Sequence, residues 1–194
     1  MAYAPTMSGR PRDPLADDAI RRAAIDLTVE RGYRGVSIEG IAARAKVAKQ
    51  TVYRRYRTKG EVVLDAVLSD ADRRLPIPDT GTLRGDLEVL LRSGLRFVRG
   101  TSSPLNKALL VEALQDAEFA RQYRERYIQV RRDNAREVFV RAAERGEIDR
   151  CDYEFLVDLI YGPLWYRVIV GHADLADSLA ARIAAAAARA VGAD

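Results

Sequence analysis

Basic side chains are concentrated in one short stretch of the chain, from residue 44 to residue 59. Such a stretch can neutralise phosphate groups, which gives affinity for a polyanion. Gln50 lies within it, and a side-chain amide can both donate to and accept from the edge of an adenine, which adds sequence information. The stretch contains no acidic residue, and its seven basic residues are Arg44, Lys46, Lys49, Arg54, Arg55, Arg57 and Lys59.

The charge of the whole chain is divided unevenly between its first third and the remainder. A run of charge by itself is more often a solvated face than a binding site. Residues 1–60, however, hold 13 Lys and Arg against 6 Asp and Glu, a net +7, whereas the remainder holds 19 against 22, a net −3. A basic head on a mildly acidic body favours a polyanionic partner for the head.

Two short predicted helices would position this basic stretch. Ser37 can cap the first of them, and Val36 before it can pack against Ile41 one turn later. A break follows at residues 46–48, and a further helix is predicted from about Lys49 to Tyr56. Two helices so joined form a helix-turn-helix, whose second helix lies in the DNA major groove. The sequence therefore predicts a DNA-binding helix-turn-helix over about residues 37–56.

The remaining patterning predicts an all-α chain of about nine helices, because apolar residues recur at helical spacing and no strand alternation is present. A capping box at Thr58 to Glu61 opens a helix after the basic stretch. Residues 1–13 are predicted to be a disordered arm, residues 14–75 a DNA-binding domain and residues 76–194 a second helical domain. Further helices are predicted at about 14–31, 58–74, 83–98, 104–114, 117–145, 153–170 and 174–191.

Composition argues against several other classes of protein. With a single histidine, His172, a single cysteine, Cys151, and no metal-ligand spacing or phosphate loop, we expect no enzyme, no cofactor and no metal. Beyond the first nine residues, the longest uncharged run is eight residues, Leu159 to Tyr166, far short of the roughly 20 that a membrane helix needs. Residues 1–18 lack an apolar signal core. We expect a cytoplasmic protein without a membrane partner.

The helix-turn-helix resembles the DNA-binding domain of the TetR family over about residues 15–75. The matching segments are Arg31-Gly32-Tyr33, residues 41–45, and Thr51-Val52-Tyr53-Arg54-Arg55-Tyr56 followed by Thr58-Lys59. The resemblance implies phosphate contacts for Thr51, Tyr53 and Lys59, and base or groove contacts for Lys49, Gln50 and Arg54. The predicted DNA-binding residues are Ser37, Arg44, Lys46, Lys49, Gln50, Thr51, Tyr53, Arg54, Tyr56 and Lys59.

The second half resembles a TetR-type C-terminal domain more loosely, at residues 81–87 and 162–167. That resemblance implies a homodimer, joined through the last two helices, that binds a palindromic double-stranded operator. It also implies repression that is relieved by a small apolar or aromatic effector. An architectural DNA-binding protein without a ligand response is the alternative that the residues leave open.

Apolar side chains of the second half give candidate ligand and dimer sites, although periodicity alone reports burial in a core equally well. The candidate pocket residues are Leu91, Leu95, Leu110, Tyr123, Tyr127, Tyr161 and Trp165. The candidate dimer residues are Leu156, Leu164, Leu175, Leu179 and Ile183.

Three positions depart from the expected patterns. The TetR motif normally has glycine at position 46 and a hydroxyl residue at position 48, where this chain has Lys46 and Ala48. We expect a recognition helix that is less stable than usual, unless tertiary packing compensates. Pro163 is expected either to kink a helix or to mark its boundary.

Overall fold

The structure, a computed structural model, describes residues 13–100 and 103–193, and within these ranges the chain is helical without any strand. The all-α prediction is confirmed. A short 3₁₀ turn, Tyr33–Gly35, joins the first two helices. The α-helices are α1 (Pro14–Arg31), α2 (Ile38–Arg44), α3 (Lys49–Tyr53), α4 (Lys59–Arg74), α5 (Leu83–Arg99), α6 (Ser103–Gln115), α7 (Ala117–Tyr123), α8 (Gln129–Glu144), α9 (Tyr153–Val170) and α10 (Asp177–Ala190).

Side-chain caps explain why several of these helices begin where they do. Ser37 Oγ accepts a hydrogen bond from the Gly40 amide at 3.1 Å, so Ser37 caps α2 as its sequence predicts. Thr58 Oγ1 accepts one from the Glu61 amide at 3.2 Å at the start of α4. Glu61 completes this cap by accepting from the backbone amide of Arg57 at 2.7 Å, one residue earlier than in the usual capping box.

The start of the chain is only partly described. Asp13 accepts a hydrogen bond from the Leu15 amide at 3.0 Å and so caps α1, with Pro14 at the first helical position. Asp13, which the sequence analysis assigns to a disordered arm, therefore belongs to the helix cap. Residues 1–12 lie outside the described residues.

The long helix predicted over 117–145 is present as a continuous rod with one irregular turn. The rod consists of α7, a π-helical turn at Arg124–Ile128, and α8. Counted as one rod, these elements bring the described residues to nine helices, as the sequence predicts. Tyr123 and Tyr127 stack across the irregular turn with ring centroids 5.5 Å apart, and both are buried. Single π turns of this kind are frequent at functional sites.

The buried apolar residues form two clusters. The N-terminal cluster joins α1 to α4 with Phe97, Leu105, Leu109, Phe119 and Tyr127. The C-terminal cluster joins α5, α8, α9 and α10. Since the N-terminal cluster contains residues well beyond position 75, α1 and α4, which support the helix-turn-helix, pack in turn against α6 and α7. The domain boundary at 75/76 stays a prediction.

The segment 81–87 owes its pattern to a buried carboxylate. Asp86 is fully buried, and its Oδ1 accepts from the Thr80 amide at 2.5 Å and from the Thr80 hydroxyl at 2.8 Å. Arg145 of the loop after α8 lies 3.4 Å from its other oxygen. A Cβ added at Gly85 would lie 2.4 Å from Thr80 Oγ1, so only glycine fits there without displacing this network.

Two sequence-based boundaries in the second half need correction. Pro163 lies inside α9, which continues through it to Val170, so the interpretation that it marks a helix boundary is wrong. The helix gives up one backbone hydrogen bond at that turn. The last helix begins at Asp177 rather than at Asp174, after Ala176, which supplies no side-chain cap.

The turn between α2 and α3 shows both departures from the TetR motif. Lys46 has φ +55° and is the only non-glycine residue with a positive φ in the ranges that the structure describes. Ala48 is the N-cap of α3 and makes no side-chain cap hydrogen bond. A left-handed residue with a side chain costs about 1–2 kcal/mol, and a missing cap costs about 1 kcal/mol.

The double substitution Lys46→Gly with Ala48→Ser should therefore stabilise the free protein. We expect the free energy of unfolding to rise by about 2–3 kcal/mol and the melting temperature by about 4–12 °C, measured by circular dichroism. Lys46→Ala is the control, because it keeps a Cβ at the same φ and should give no comparable rise. An unchanged or lower melting temperature in the double variant contradicts this interpretation.

Candidate functional site

Packing of α3 against α2 orients the face that the sequence assigns to DNA. Val52 of α3 is fully buried in the N-terminal cluster beside Ile41 of α2. The opposite side of α3 is exposed and carries Lys49, Gln50 and Tyr53, with Thr51 half-buried at its edge. This arrangement is the geometry of a helix-turn-helix whose second helix presents polar side chains outward.

An acidic residue of α2, which the sequence reading missed, holds two of these side chains. Glu39 Oε1 lies 2.7 Å from Lys49 Nζ and accepts a hydrogen bond from the Tyr53 hydroxyl at 3.2 Å. The hydrogen bond from Lys49 lowers the pKa of the Glu39 carboxyl. All three side chains lie in water, so a DNA phosphate can compete for Lys49 at small cost.

Two of the seven basic residues bind α1 and have a structural role. Arg44 donates to both carboxylate oxygens of Glu30, at 2.8 and 2.7 Å. Arg55 forms an ion pair with Asp17, and their side chains are only 8% and 17% exposed. These pairs fasten the helix-turn-helix to the first helix. Arg55 has no surface to offer a partner, whereas Arg44 is exposed.

Three other basic residues are available to a partner. Lys46, Arg54 and Arg57 are exposed, and none forms an ion pair with any residue in the described ranges. They lie before α3, directly after it and in the turn to α4. Together with Gln50 on α3, they form a positively charged polar surface suited to phosphate and base contacts.

Lys59 and Tyr56 direct their polar ends into the protein. Lys59 Nζ donates to the carbonyls of Tyr33 and Val36 at 3.0 and 3.1 Å and lies 4.4 Å from the centroid of the Tyr33 ring. The Tyr56 hydroxyl donates to Asp65 at 2.8 Å, and burial raises the pKa of Tyr56. We therefore leave Tyr56 out of the proposed interface, because its ring packs against the N-terminal cluster.

An apolar cavity of about 360 Å³ lies among α5, the irregular turn, α8 and α9. Four of the seven predicted pocket residues line it, namely Leu95, Tyr127, Tyr161 and Trp165. Its remaining lining residues are Leu75, Leu90, Gly94, Phe97, Val98, Ile128, Arg131, Arg132, Asn134, Asp158, Gly162, Leu164 and Val168.

The other three predicted pocket residues lie elsewhere. Leu91 is buried in the C-terminal cluster, because the side of α5 on which it lies packs within that cluster. Leu110 and Tyr123 line a separate groove of about 310 Å³ between α6, α7 and the end of α9. Trp165 borders both spaces.

The charged residues of the cavity were missed by the sequence reading. Arg131 and Arg132 stand side by side on α8, and Asp158 faces them from α9. Arg132 is paired with Asp158 and, at 2.8 Å, with Glu154. The adjacent arginines were the available signal, but the many arginines of this chain made them inconspicuous.

The predicted dimer residues are mostly covered within the subunit, although Leu179 and Ile183 also line a surface groove between α9 and α10, and their assignment to an interface stays a prediction. Leu156, Leu164, Leu179 and Ile183 are at most 8% exposed and belong to the C-terminal cluster, and Leu175 is half-buried against it. Because apolar residues of α9 occur both on its buried side and on its exposed side, its periodicity could not distinguish the inner face from the outer one. Its exposed apolar residues are Phe155, Leu159, Tyr166, Ile169 and Val170.

Neither a membrane-spanning helix nor a group of metal-binding side chains is present in the part of the chain that the structure describes. No helix there combines the length and the apolar character that a bilayer span requires. No group of three or more His, Cys, Asp or Glu side chains is placed to hold a metal ion.

Two family models match the chain. The model described as "Bacterial regulatory proteins, tetR family" matches residues 20–66, which include the helix-turn-helix. The model described as "Tetracyclin repressor-like, C-terminal domain" matches residues 77–187, which include the cavity.

Similar proteins match nearly the whole chain. The chain is 37% identical over 171 residues to the "Uncharacterized HTH-type transcriptional regulator YdeS" of Bacillus subtilis (strain 168), covering 88% of this chain and 86% of the relative. It is 30% identical over 167 residues to the "HTH-type transcriptional regulator AqdR" of Rhodococcus erythropolis, covering 82% and 78%. The crystal structure of TetR family regulator SCO0332 superposes with a TM-score of 0.75 at 27% identity, covering 87% and 94%. FadR from Bacillus subtilis, solved with stearoyl-CoA, shares the fold at 18% identity, TM-score 0.68, covering 88% and 96%.

Removing the Tyr56 hydroxyl should affect stability rather than DNA binding. We expect Tyr56→Phe to lower the free energy of unfolding by about 1 kcal/mol, because Asp65 loses a partly buried hydrogen bond. DNA affinity at a temperature where the variant is folded should be unchanged. Tyr53→Phe is the matched variant. Its free energy of unfolding should stay within about 0.5 kcal/mol of that of the unaltered protein, and its DNA binding should be weaker. Thermal melts and fluorescence anisotropy check both, and the reverse pattern would refute our division between the two tyrosines.

Proposed function

The chain belongs to the TetR family of DNA-binding transcriptional regulators, and we propose that it is a ligand-responsive repressor that binds a palindromic operator as a homodimer. One observation carries this proposal: Phe97 and Tyr127 line the cavity and also belong to the hydrophobic cluster that supports the helix-turn-helix. A ligand that repacks these two side chains acts directly on the DNA-binding helices.

The proposed DNA contacts divide into two kinds. Gln50, on the exposed face of α3, reads a base edge, with Lys49 and Arg54 beside it in the groove. Lys46, Thr51 and Tyr53 bind phosphates and fix the register of the helix on DNA. Ser37, Arg44 and Lys59 border this surface, and their contacts to Gly40, Glu30 and two backbone carbonyls hold it in shape.

The outer faces of α9 and α10 support a homodimer. Phe155, Leu159, Tyr166 and Ile169 recur at intervals of three, four or seven residues and form an exposed apolar stripe along α9. Beside it lies a groove of about 640 Å³ between α9 and α10, lined on α10 by small residues such as Ala185. A second copy of the chain would cover both features with the same surface, as two-fold symmetry requires.

The dimer accounts for recognition of a palindrome. Two identical recognition helices related by a two-fold axis match two half-sites about one helical turn of DNA apart. A ligand that favours a conformation with a different spacing releases the DNA, because it can shift the equilibrium only by its preference for that conformation. Repression relieved by the ligand follows from this scheme.

An architectural DNA-binding protein is the second candidate, and the cavity argues against it. Such a protein has no use for an apolar space beside its DNA-binding core. Trp165, the single tryptophan, borders the cavity and reports its occupancy by fluorescence. Ligand titration followed by DNA release supports the repressor, whereas DNA binding with little sequence preference and no release would support the architectural protein.

Selection of bound sequences from random DNA tests the proposal most broadly. We expect a palindromic consensus with half-sites about one turn apart, bound by one dimer. Enrichment of a site without symmetry, or no enrichment, would argue against it.

Two substitutions should separate affinity from specificity. Lys46→Ala removes an exposed, unpaired charge, so we expect weaker binding to all sequences and a salt dependence reduced by about one unit per subunit. Gln50→Ala should instead relax the preference at one base position of each half-site and leave the salt dependence unchanged. Binding isotherms at several salt concentrations measure both, and identical behaviour of the two variants would show that our division of roles is wrong.

A charge placed on the exposed stripe of α9 should dissociate the dimer. We expect Ile169→Asp to yield folded monomers in sedimentation velocity, because a partner would have to bury an unpaired carboxylate. Val29→Asp, at an apolar position of α1 that is similarly exposed, should remain dimeric. Ile183→Asp should unfold the subunit, since Ile183 is buried within it. A dimeric Ile169→Asp variant would exclude this stripe as the interface.

A further inference from the structure

The apolar cavity contains one guanidinium whose charge is poorly matched. The Arg131 side chain is only 14% exposed, yet its contacts are long: Nη2 lies 3.4 Å from Asp72 Oδ1 and Nη1 lies 3.5 Å from the Leu75 carbonyl. Its Nε has no hydrogen-bond partner among residues 13–100 and 103–193. A guanidinium offers five donors, and buried donors without acceptors are unfavourable.

The other charges around the cavity do not neutralise Arg131. Arg132 forms ion pairs with Asp158 and Glu154, so those carboxylates are already paired. Asp72 is 70% exposed, and water therefore screens most of its attraction for Arg131. The lining consequently carries an excess positive charge at Arg131.

Two phenol groups near Arg131 are neutral. The Tyr161 hydroxyl donates to the Arg131 carbonyl at 3.2 Å, and the Tyr127 hydroxyl donates to Asn106 at 3.3 Å. Burial raises the pKa of Tyr161 to about 12, with the charges of Arg131 and Arg132 acting in the opposite direction. Both phenols stay protonated at neutral pH, so neither supplies the missing negative charge.

We propose that the cavity binds a small organic acid with an apolar body, whose carboxylate pairs with the Arg131 guanidinium. The inference rests on the proposed ligand response and adds the chemical class of the ligand. Arginine presents a planar set of donors that matches a carboxylate, and such charged hydrogen bonds are stronger than neutral ones. The apolar body lies against Leu95 and Trp165, which line the same space.

Arg131 also connects this site to the DNA-binding helices. Its two present contacts, Asp72 and the Leu75 carbonyl, are at the C-terminal end of α4. A carboxylate that draws the guanidinium into the cavity weakens both contacts. The acid thereby frees the end of the helix that links the helix-turn-helix to the cavity.

Matched acids and amides test the proposal in the unaltered protein. The probes are decanoate with decanamide, and 4-phenylbutanoate with 4-phenylbutanamide, each followed by Trp165 fluorescence at pH 7. We expect at least one acid to bind at least ~10-fold more tightly than its amide, as a charge-assisted hydrogen bond implies. Amides that bind as well as their acids, or two acids that do not bind at millimolar concentration, would overturn the proposal.

Variants identify the residue that confers the preference. Arg131→Gln should abolish the preference for the acid while the affinity for the amide stays the same. Arg136→Gln is the matched control, because Arg136 lies on the same helix, is exposed and does not line the cavity. Arg131→Lys keeps the charge and should retain part of the preference. A preference that survives in Arg131→Gln would assign the carboxylate to another residue.

Release of selected DNA distinguishes this inference from the proposed function. If acids and amides bind equally and both release DNA, the ligand-responsive regulator stands and the carboxylate assignment fails. If an acid binds through Arg131 but DNA stays bound, the site stands and the proposed ligand response fails.

Discussion

A hydrophobic cluster shared between the helix-turn-helix and the helices around the cavity is the constraint on which the rest of the structure depends. α3 has five residues and buries a single side chain, Val52, so it cannot hold its place alone. α1, α2 and α4 give it a platform, and Phe97, Leu105 and Phe119 complete that platform from the second half of the chain. The position of the recognition helix therefore depends on how α5, α6 and α7 pack.

Electrostatic contacts fasten this shared core at its edges. Arg55 and Asp17 join the end of α3 to α1, while Asp65 on α4 receives the Tyr56 hydroxyl together with Arg21. Breaking a buried pair leaves an unmatched charge, which makes these joints rigid. The exposed basic residues, by contrast, form few contacts with the protein and remain available to DNA. The buried ion pairs and hydrogen bonds thus hold the recognition helix in place, while its exposed basic side chains stay accessible to DNA.

The sequence predicted the elements well because their signals are local. Ser37 and Thr58 cap helices through their own neighbours, and the stripe from Leu83 to Leu95 reports burial at helical spacing. The left-handed conformation of Lys46 could also be expected, because the motif normally has glycine at that position. Each of these features is settled within one or two helical turns, and so could be read without the fold.

Features that depend on contacts between distant segments could not be predicted. Leu156 is as apolar as a dimer contact, but the subunit's own core covers it, and only the packed structure shows that Ile169 on the same helix is left outside. The sequence assigns Tyr56 to DNA, and only the structure shows that its hydroxyl is bound to Asp65 of α4. Arg131 became distinctive only once its weak partners and the cavity were seen together.

Trp165 offers the most direct test of the proposed coupling between the cavity and the DNA-binding helices. Coupling is reciprocal, so a proposed ligand that alters DNA binding requires that DNA bound at the helix-turn-helix alters the cavity. The measurement is the fluorescence lifetime of Trp165 during titration with selected operator DNA, compared with unrelated DNA of equal length. Our account predicts a change that saturates at one dimer per operator and is smaller with unrelated DNA. A lifetime that stays constant through saturation would contradict the coupling.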